Sequence, residues 1–231
     1  MSFSSVTTFD GERKPRTLPA RELDPVEIRI LGSLMEKQLS TPEYYPLTLN
    51  ALAAACNQKS NREPVMDLGD SDLQRGLDRL QDEKLVWKVF GGRAVRYDHN
   101  LDSMWQLDRP SKAILTLLFL RGPQTAGEIR GRSERLHAFE SVSEAEEALQ
   151  RLASVPPPMV RELPRRPGQK ESRWAHLLGG AIVEPAVSAS SSEGETSHEA
   201  REPLSVRVQR LEEQLATLTA EFHALRAKLG E

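Results

Sequence analysis

Apolar residues recur at helical spacing from Val26 onward, and that rhythm changes and then repeats along the chain. Asp24-Pro25 is a helix start, an N-cap carboxylate followed by proline at the first helical position, and Val26, Ile30, Leu31 and Leu34 mark the apolar face behind it. After the break STPEYYP, Thr48 predicts a cap for a short helix from Leu49 to about Cys56. Asp70 or Ser71 caps a third helix, with Leu73, Leu77 and Leu80 on one side. The period then shortens: Val86 to Phe90 reads as a strand, Gly91-Gly92 as a tight turn, and Ala94 to Tyr97 as the returning strand.

The same order follows again. Ser111 is the predicted cap of a helix carrying Ile114, Leu115, Leu117, Leu118 and Leu120, which ends at Gly122-Pro123, and Thr125 caps the short segment TAGEIRGRS. A third helix begins after Ser141 or Ser143 with Val142, Ala145, Leu149 and Leu152 inward, stops before Pro156 to Pro158, and leads to strands MVREL and SRWAHLL around a turn at Pro167-Gly168. Three helices and a hairpin, twice over, predict a mainly α fold with small β-hairpins (α+β) in two domains, at 23–107 and 108–180, a pattern that suits winged helices in tandem and with which other small α+β domains are also compatible. Residues 1–22 read as a flexible leader, and 181–203, rich in Ser, Ala and Glu, as a disordered linker.

The last segment has a different period. Leu204, Val208, Leu211, Leu215, Leu218, Phe222, Leu225 and Leu229 alternate spacings of four and three, a heptad seam over 204–231 that predicts a coiled-coil helix and a homodimer. With Val208, Leu215, Phe222 and Leu229 at position a, Arg207 meets Glu212 and Glu221 meets Arg226 across a parallel pair. The alternative is an amphipathic helix folded back on its own domains.

Composition narrows the classes. The apolar runs fall short of the roughly 20 residues that span a bilayer, and MSFSSVTTFDGERKPR lacks the apolar stretch of a secretory signal, so a soluble cytoplasmic protein with no membrane contact is expected. The single cysteine, Cys56, lies inside LNALAAAC and reads as a small buried hydrophobe, with a nucleophile or metal ligand as the alternative. Of 34 acidic and 31 basic side chains, residues 181–231 hold nine and five, leaving a body with 25 and 26. A dedicated nucleic-acid binder often has a domain pI above about 9; here the pI is near 6.0, so a basic footprint must be local. His99, His137, His176, His198 and His223 are scattered, with no HExxH, paired cysteines or phosphate-binding glycine loop, so no enzyme, catalytic residue, metal or cofactor is expected.

At residues 56–66, CNQKSNREPVM, and the preceding PVEIRILGSLMEKQLSTPEYYPLTLNAL, the chain resembles the YceH-like family of uncharacterised bacterial proteins. The resemblance runs on through GLDRLQDEKLV, VFGGRAVRYDH, SKAILTLLFLRGPQTAGEIRGRSERLHAF and VRELPRRPGQKESRWAHLLG, covering nearly all of 23–180. It implies the tandem winged-helix fold and supplies no activity.

Winged helices ordinarily place the third helix in the major groove and the wing on phosphates. Here the third helices carry Asp70, Asp72, Asp78, Asp82 and Glu83 in the first unit and Glu144, Glu146 and Glu147 in the second, faces that repel phosphate. The candidate contacts to double-stranded DNA therefore lie in loops and wings. Lys59 and Arg62 beside Asn57, Gln58 and Asn61 offer cations and amides for base edges, with an ordered loop bonded to its own backbone as the alternative. Lys88, Arg93 and Arg96 lie in the first wing and Arg161, Arg165, Arg166, Lys170 and Arg173 in the second, either on phosphates or simply solvated. Tyr44, Tyr45, Trp87, Trp105 and Trp174 are stacking groups or core. Two functions follow: a non-catalytic, regulatory DNA binder, placed first because fold precedent and phosphate contacts in both wings support it, and a protein-interaction scaffold, which the charge distribution favours.

Overall fold

The computed structural model describes residues 16–92, 94–165, 168, 169 and 171–180. Helices and small antiparallel sheets make them an α+β fold. The first half runs α1 (Pro25–Ser40), a 3-10 turn (Pro42–Tyr44), β1 (Leu47–Thr48), α2 (Leu49–Cys56), α3 (Asp70–Asp82), β2 (Val86–Val89) and β3 (Arg96–His99). A short α4 (Leu101–Trp105) leads to α5 (Arg109–Arg121), α6 (Ala126–Arg132), α7 (Val142–Ser154), β4 (Val160–Leu163) and β5 (Arg173–His176). The heptad residues Leu204 to Leu229 and the segment 181–203 lie outside the described residues.

Local chemistry sets most helix starts. The Asp24 side chain accepts from the amides of Val26 and Glu27 at 2.8 and 2.9 Å, and the Glu27 carboxylate accepts from the Asp24 amide at 2.8 Å, a reciprocal capping box. Thr48 and Thr125 accept from Ala51 and Glu128 in the same way, and Ser141 is the cap of α7, accepting from Glu144. Two starts differ from expectation. The cap of α3 is Gly69, whose amide donates to Asp72, so Asp70 is already helical. The cap of α5 is Asp108, not Ser111: Pro110 fixes a helical φ before Ser111 is reached, and the Ser111 amide donates to the Asp108 carboxylate at 2.9 Å.

In the first hairpin Val86 pairs with His99 and Val89 with Arg96, so the returning strand is Arg96–His99 and not Ala94 to Tyr97. That register turns Tyr97 and His99, two residues apart, into the core. Strand β1 adds to the other edge of β3 through Leu47 and Tyr97. In the second half Gln124 takes the equivalent place, exchanging backbone hydrogen bonds with Trp174 at 3.0 and 2.7 Å just before the Thr125 cap. Val142, expected inward, is exposed at the first turn of α7, and Ala148 joins Ala145, Leu149 and Leu152 instead.

The halves share one core. Every residue of α1 from Glu27 to Met35 and of α5 from Ser111 to Leu120 is buried, because the two helices pack against each other as well as against their own halves. Gly32 sits at this crossing: a Cβ there would lie 2.9 Å from Leu120 Cδ2 and 3.0 Å from Phe119 Cβ. Two charged groups buried on these helices are well partnered. Glu27 receives Arg21 at 2.6 and 2.8 Å and Arg79 at 3.0 Å. Burial works to raise its pKa, and these donors with the Asp24 amide hold the carboxyl below the usual range. Lys112 of α5 donates to Asp102 at 2.7 Å and to Gln38. Order begins before Leu23: the Thr17 amide donates to Met104 O at 2.9 Å, and Leu18 packs on the core.

Candidate functional site

The loop joining α2 to α3 carries the amide and cation cluster. Asn57, at the end of α2, donates through Nδ2 to Leu68 O at 2.9 Å and accepts from the Leu68 amide at 2.8 Å, closing the loop with one side chain. The Arg62 side chain is fully buried. Its Nε and Nη2 donate to Ala55 O at 3.0 and 2.8 Å, and its fork meets the Glu36 carboxylate at 3.1 and 2.6 Å. Burial favours a protonated Glu36, but the guanidinium overrides it and holds the carboxyl below the usual carboxylate range. Asn57 and Arg62 are thus placed as the ordered-loop alternative has them, and reaching a base would strip a buried ion pair and a backbone clamp. Asn61 is exposed, with φ of 61°, and its Oδ1 accepts from Arg121. Lys59 is exposed and Gln58 half-buried. Cys56 is buried beside them, its thiol pushed up to about 11 by burial.

In the first hairpin the described cations have local partners: Lys88 lies 4.0 Å from Asp78, and Arg96 donates to Pro46 O at 2.7 Å. Its exposed side chains are apolar instead, with Trp87 48% and Phe90 75% exposed and Val95 nearby in sequence also exposed. Of the other aromatics, Tyr44 is exposed, Trp105 and Trp174 are core, and Tyr45 is half-buried, donating to Asp98 at 2.6 Å. In the second hairpin Arg161 and Arg165 are exposed, while Arg173 is half-buried and donates to Pro123 O. Arg93, Arg166 and Lys170 lie outside the described residues.

Between α7 and the second hairpin lies an open groove of about 830 Å³. Among the described residues its walls carry four carboxylates, Glu146 and Glu147 from α7 and Glu162 and Glu171 from the hairpin segment, against two guanidiniums, Arg151 and Arg165. Val155 also lines it, and its carbonyl accepts from Arg16 at 3.2 Å, so a basic side chain of the entering chain already reaches the groove margin. The acidic face of α7 is plain in the sequence. Glu162 and Glu171 join it only because the hairpin folds against the helix, which no local pattern announces.

A family model described as "Protein of unknown function, DUF480" matches residues 23–169. The chain is 45% identical over 210 residues to a UPF0502 protein of Azoarcus sp. (strain BH72), covering 89% of this chain and 93% of that protein. It is 48% identical over 206 residues to a UPF0502 protein of Geotalea uraniireducens (strain Rf4), covering 89% and 90%. With a UPF0502 protein of Geobacter sulfurreducens it shares 52% identity over 168 residues, covering 72% and 75%.

Proposed function

The chain belongs to the DUF480 family of uncharacterised bacterial proteins, and on that premise we propose that it is a non-catalytic interaction protein that docks a basic polypeptide in the groove between α7 and the second hairpin. The YceH-like, tandem winged-helix reading belongs to the same proposal: each half has three helices and a hairpin, and Leu47-Thr48 and Gln124-Thr125 play matching parts in the two halves.

The observation that carries it is the groove lining. A duplex laid along a third helix and its wing brings phosphates to this place, where, among the described residues, four carboxylates face two guanidiniums. Lysine and arginine side chains meet the same field favourably. The exposed Trp87 and Phe90 on the first hairpin agree, since large aromatics anchor protein interfaces. Fluorescence anisotropy with a labelled Lys/Arg-rich peptide and a labelled duplex, each at about 50 and 200 mM salt, tests it. The peptide binds, the duplex does not, and the double substitution Glu146→Lys with Glu147→Lys weakens the peptide at least about tenfold, or roughly 1.4 kcal/mol. Steeply salt-dependent duplex binding that survives the double substitution overturns the proposal in favour of DNA contact through the exposed Arg161 and Arg165, the observation that keeps that second reading in view.

The proposal extends to assembly as a cytoplasmic homodimer through the heptads of 204–231, which gives two docking grooves per particle and avidity for repeated basic segments. Light scattering on the chain with and without 204–231 reads this directly: the mass falls from two chains to one, and an unchanged mass removes the seam as the assembling element.

A further inference from the structure

Where the halves meet, α1, the loop before α3, the end of α5 and β5 surround a cavity of about 670 Å³, within the range that small-molecule sites occupy. Ile28, Leu118, Phe119 and Ala175 give it a largely apolar wall. Three guanidiniums, those of Arg29, Arg121 and Arg173, line it as well, against one carboxylate, Glu63.

None of the three has a carboxylate within 4 Å among the described residues. Arg29 is 1% exposed and donates to the carbonyls of Cys56 at 3.0 Å and Pro64 at 2.6 Å. Arg121 donates to the Asn61 side chain and Arg173 to Pro123 O. Carbonyls and amides satisfy donors without cancelling charge. Burial, and after it the nearby Arg62, lowers the pKa of Arg29, and burial with Arg132 lowers that of Arg121, against opposing pulls from Glu36 on the first and from Glu63 and Glu128 on the second. Two lining residues also keep a buried nitrogen without a partner, Arg29 Nε and His176 Nδ1. The His176 imidazole, edge-on to Phe119 at 4.9 Å, is pushed down to about 4 by burial and stays neutral.

A polar ligand would waste the apolar wall, and an apolar one would leave three cations unanswered. We propose that this cavity binds a small amphiphilic anion, a carboxylate on a medium-length apolar body, with the carboxylate between the part-exposed Arg121 and Arg173 and the body against Leu118 and Phe119. A ligand that fills the cavity also meets Ile28 of α1 and Pro64 of the loop from the first half, so its occupancy clamps the two halves together. The site lies apart from the α7 groove and stands or falls independently of it.

Titration calorimetry on the full chain with octanoate and with octan-1-ol tests the charge and the wall together. One octanoate binds per chain, octanol binds at least about tenfold more weakly, and octanoate raises the melting temperature. Arg121→Met and Arg173→Met each weaken octanoate about tenfold and leave octanol unchanged; should Arg173→Met fail to fold, Arg121→Met carries the test alone. Absence of octanoate binding, equal affinity for the alcohol, or undiminished affinity in the folded arginine variants overturns the proposal.

Discussion

Replacing Arg62 by methionine is expected to cost about 3–5 kcal/mol of stability, the range for stripping one partner from a buried ion pair. The guanidinium is fully buried and the Glu36 side chain only 15% exposed, so the carboxylate left behind has little access to water and keeps only the Lys37 ammonium at 3.2 Å. Ala55 O, which accepts two of the Arg62 donors, is abandoned at the same time. The loop from Asn57 to Gly69 then keeps the Asn57–Leu68 clamp and the Arg29–Pro64 bond to α1 but loses its tie to Glu36. Urea unfolding of three variants separates the terms. Arg62→Met is the worst, and Arg62→Lys is intermediate, since an ammonium cannot fork between Glu36 and Ala55 O. Glu36→Leu combined with Arg62→Met recovers much of the loss, because the stranded charge costs more than the pair contributes. A midpoint for Arg62→Met equal to that of the parent chain would show that the pair does not anchor the loop. Any loss of ligand binding in Arg62→Met has to be judged against this destabilisation.

That residue also marks how far sequence reasoning reaches. The caps at Asp24, Thr48 and Thr125 and the stop at Gly122 are legible because a cap is a bargain struck within four residues. The start of α5 is ambiguous for the same reason: Asp108 and Ser111 are both competent caps, and only the proline between them decides. Strand β1 and helix α4, two and five residues long, are shorter than any period that could reveal them. Within α1, Glu27 and Arg29 are charged and still buried: Glu27 is met by Arg21 and by Arg79 of α3, and Arg29 donates to Cys56 O and Pro64 O, partners too distant in sequence for any local period to reveal. In the polar loop, composition shows six hydrogen-bonding side chains together, Asn57 to Arg62, and does not tell that Arg62 turns inward while Lys59 stays in solvent. The partners that decide it, Glu36 and Ala55 O, come from two different helices.

The crossing of α1 and α5 supplies the second large effect, at Gly32. Helix propensity alone predicts that Gly32→Ala stabilises the chain by about 1 kcal/mol. Packing predicts the opposite. The new Cβ would lie 2.9 Å from Leu120 Cδ2, 3.0 Å from Phe119 Cβ and 3.1 Å from Leu120 Cγ, and the Phe119 Cβ cannot move without its backbone. Neither helix has an empty side to retreat into, since α1 and α5 are buried all round at this level. Overpacking of this kind costs about 1–3 kcal/mol, so alanine is expected to be destabilising by roughly 1 kcal/mol net and leucine, with three further carbons, by about 3 kcal/mol or more. Gly91→Ala, where nothing lies within 4 Å of the added carbon, is the matched control and leaves stability nearly unchanged. Denaturant midpoints for the three variants decide between the two accounts by sign: a stabilised Gly32→Ala would mean that α1 and α5 do not meet this closely and that the halves are less tightly joined than their shared core implies.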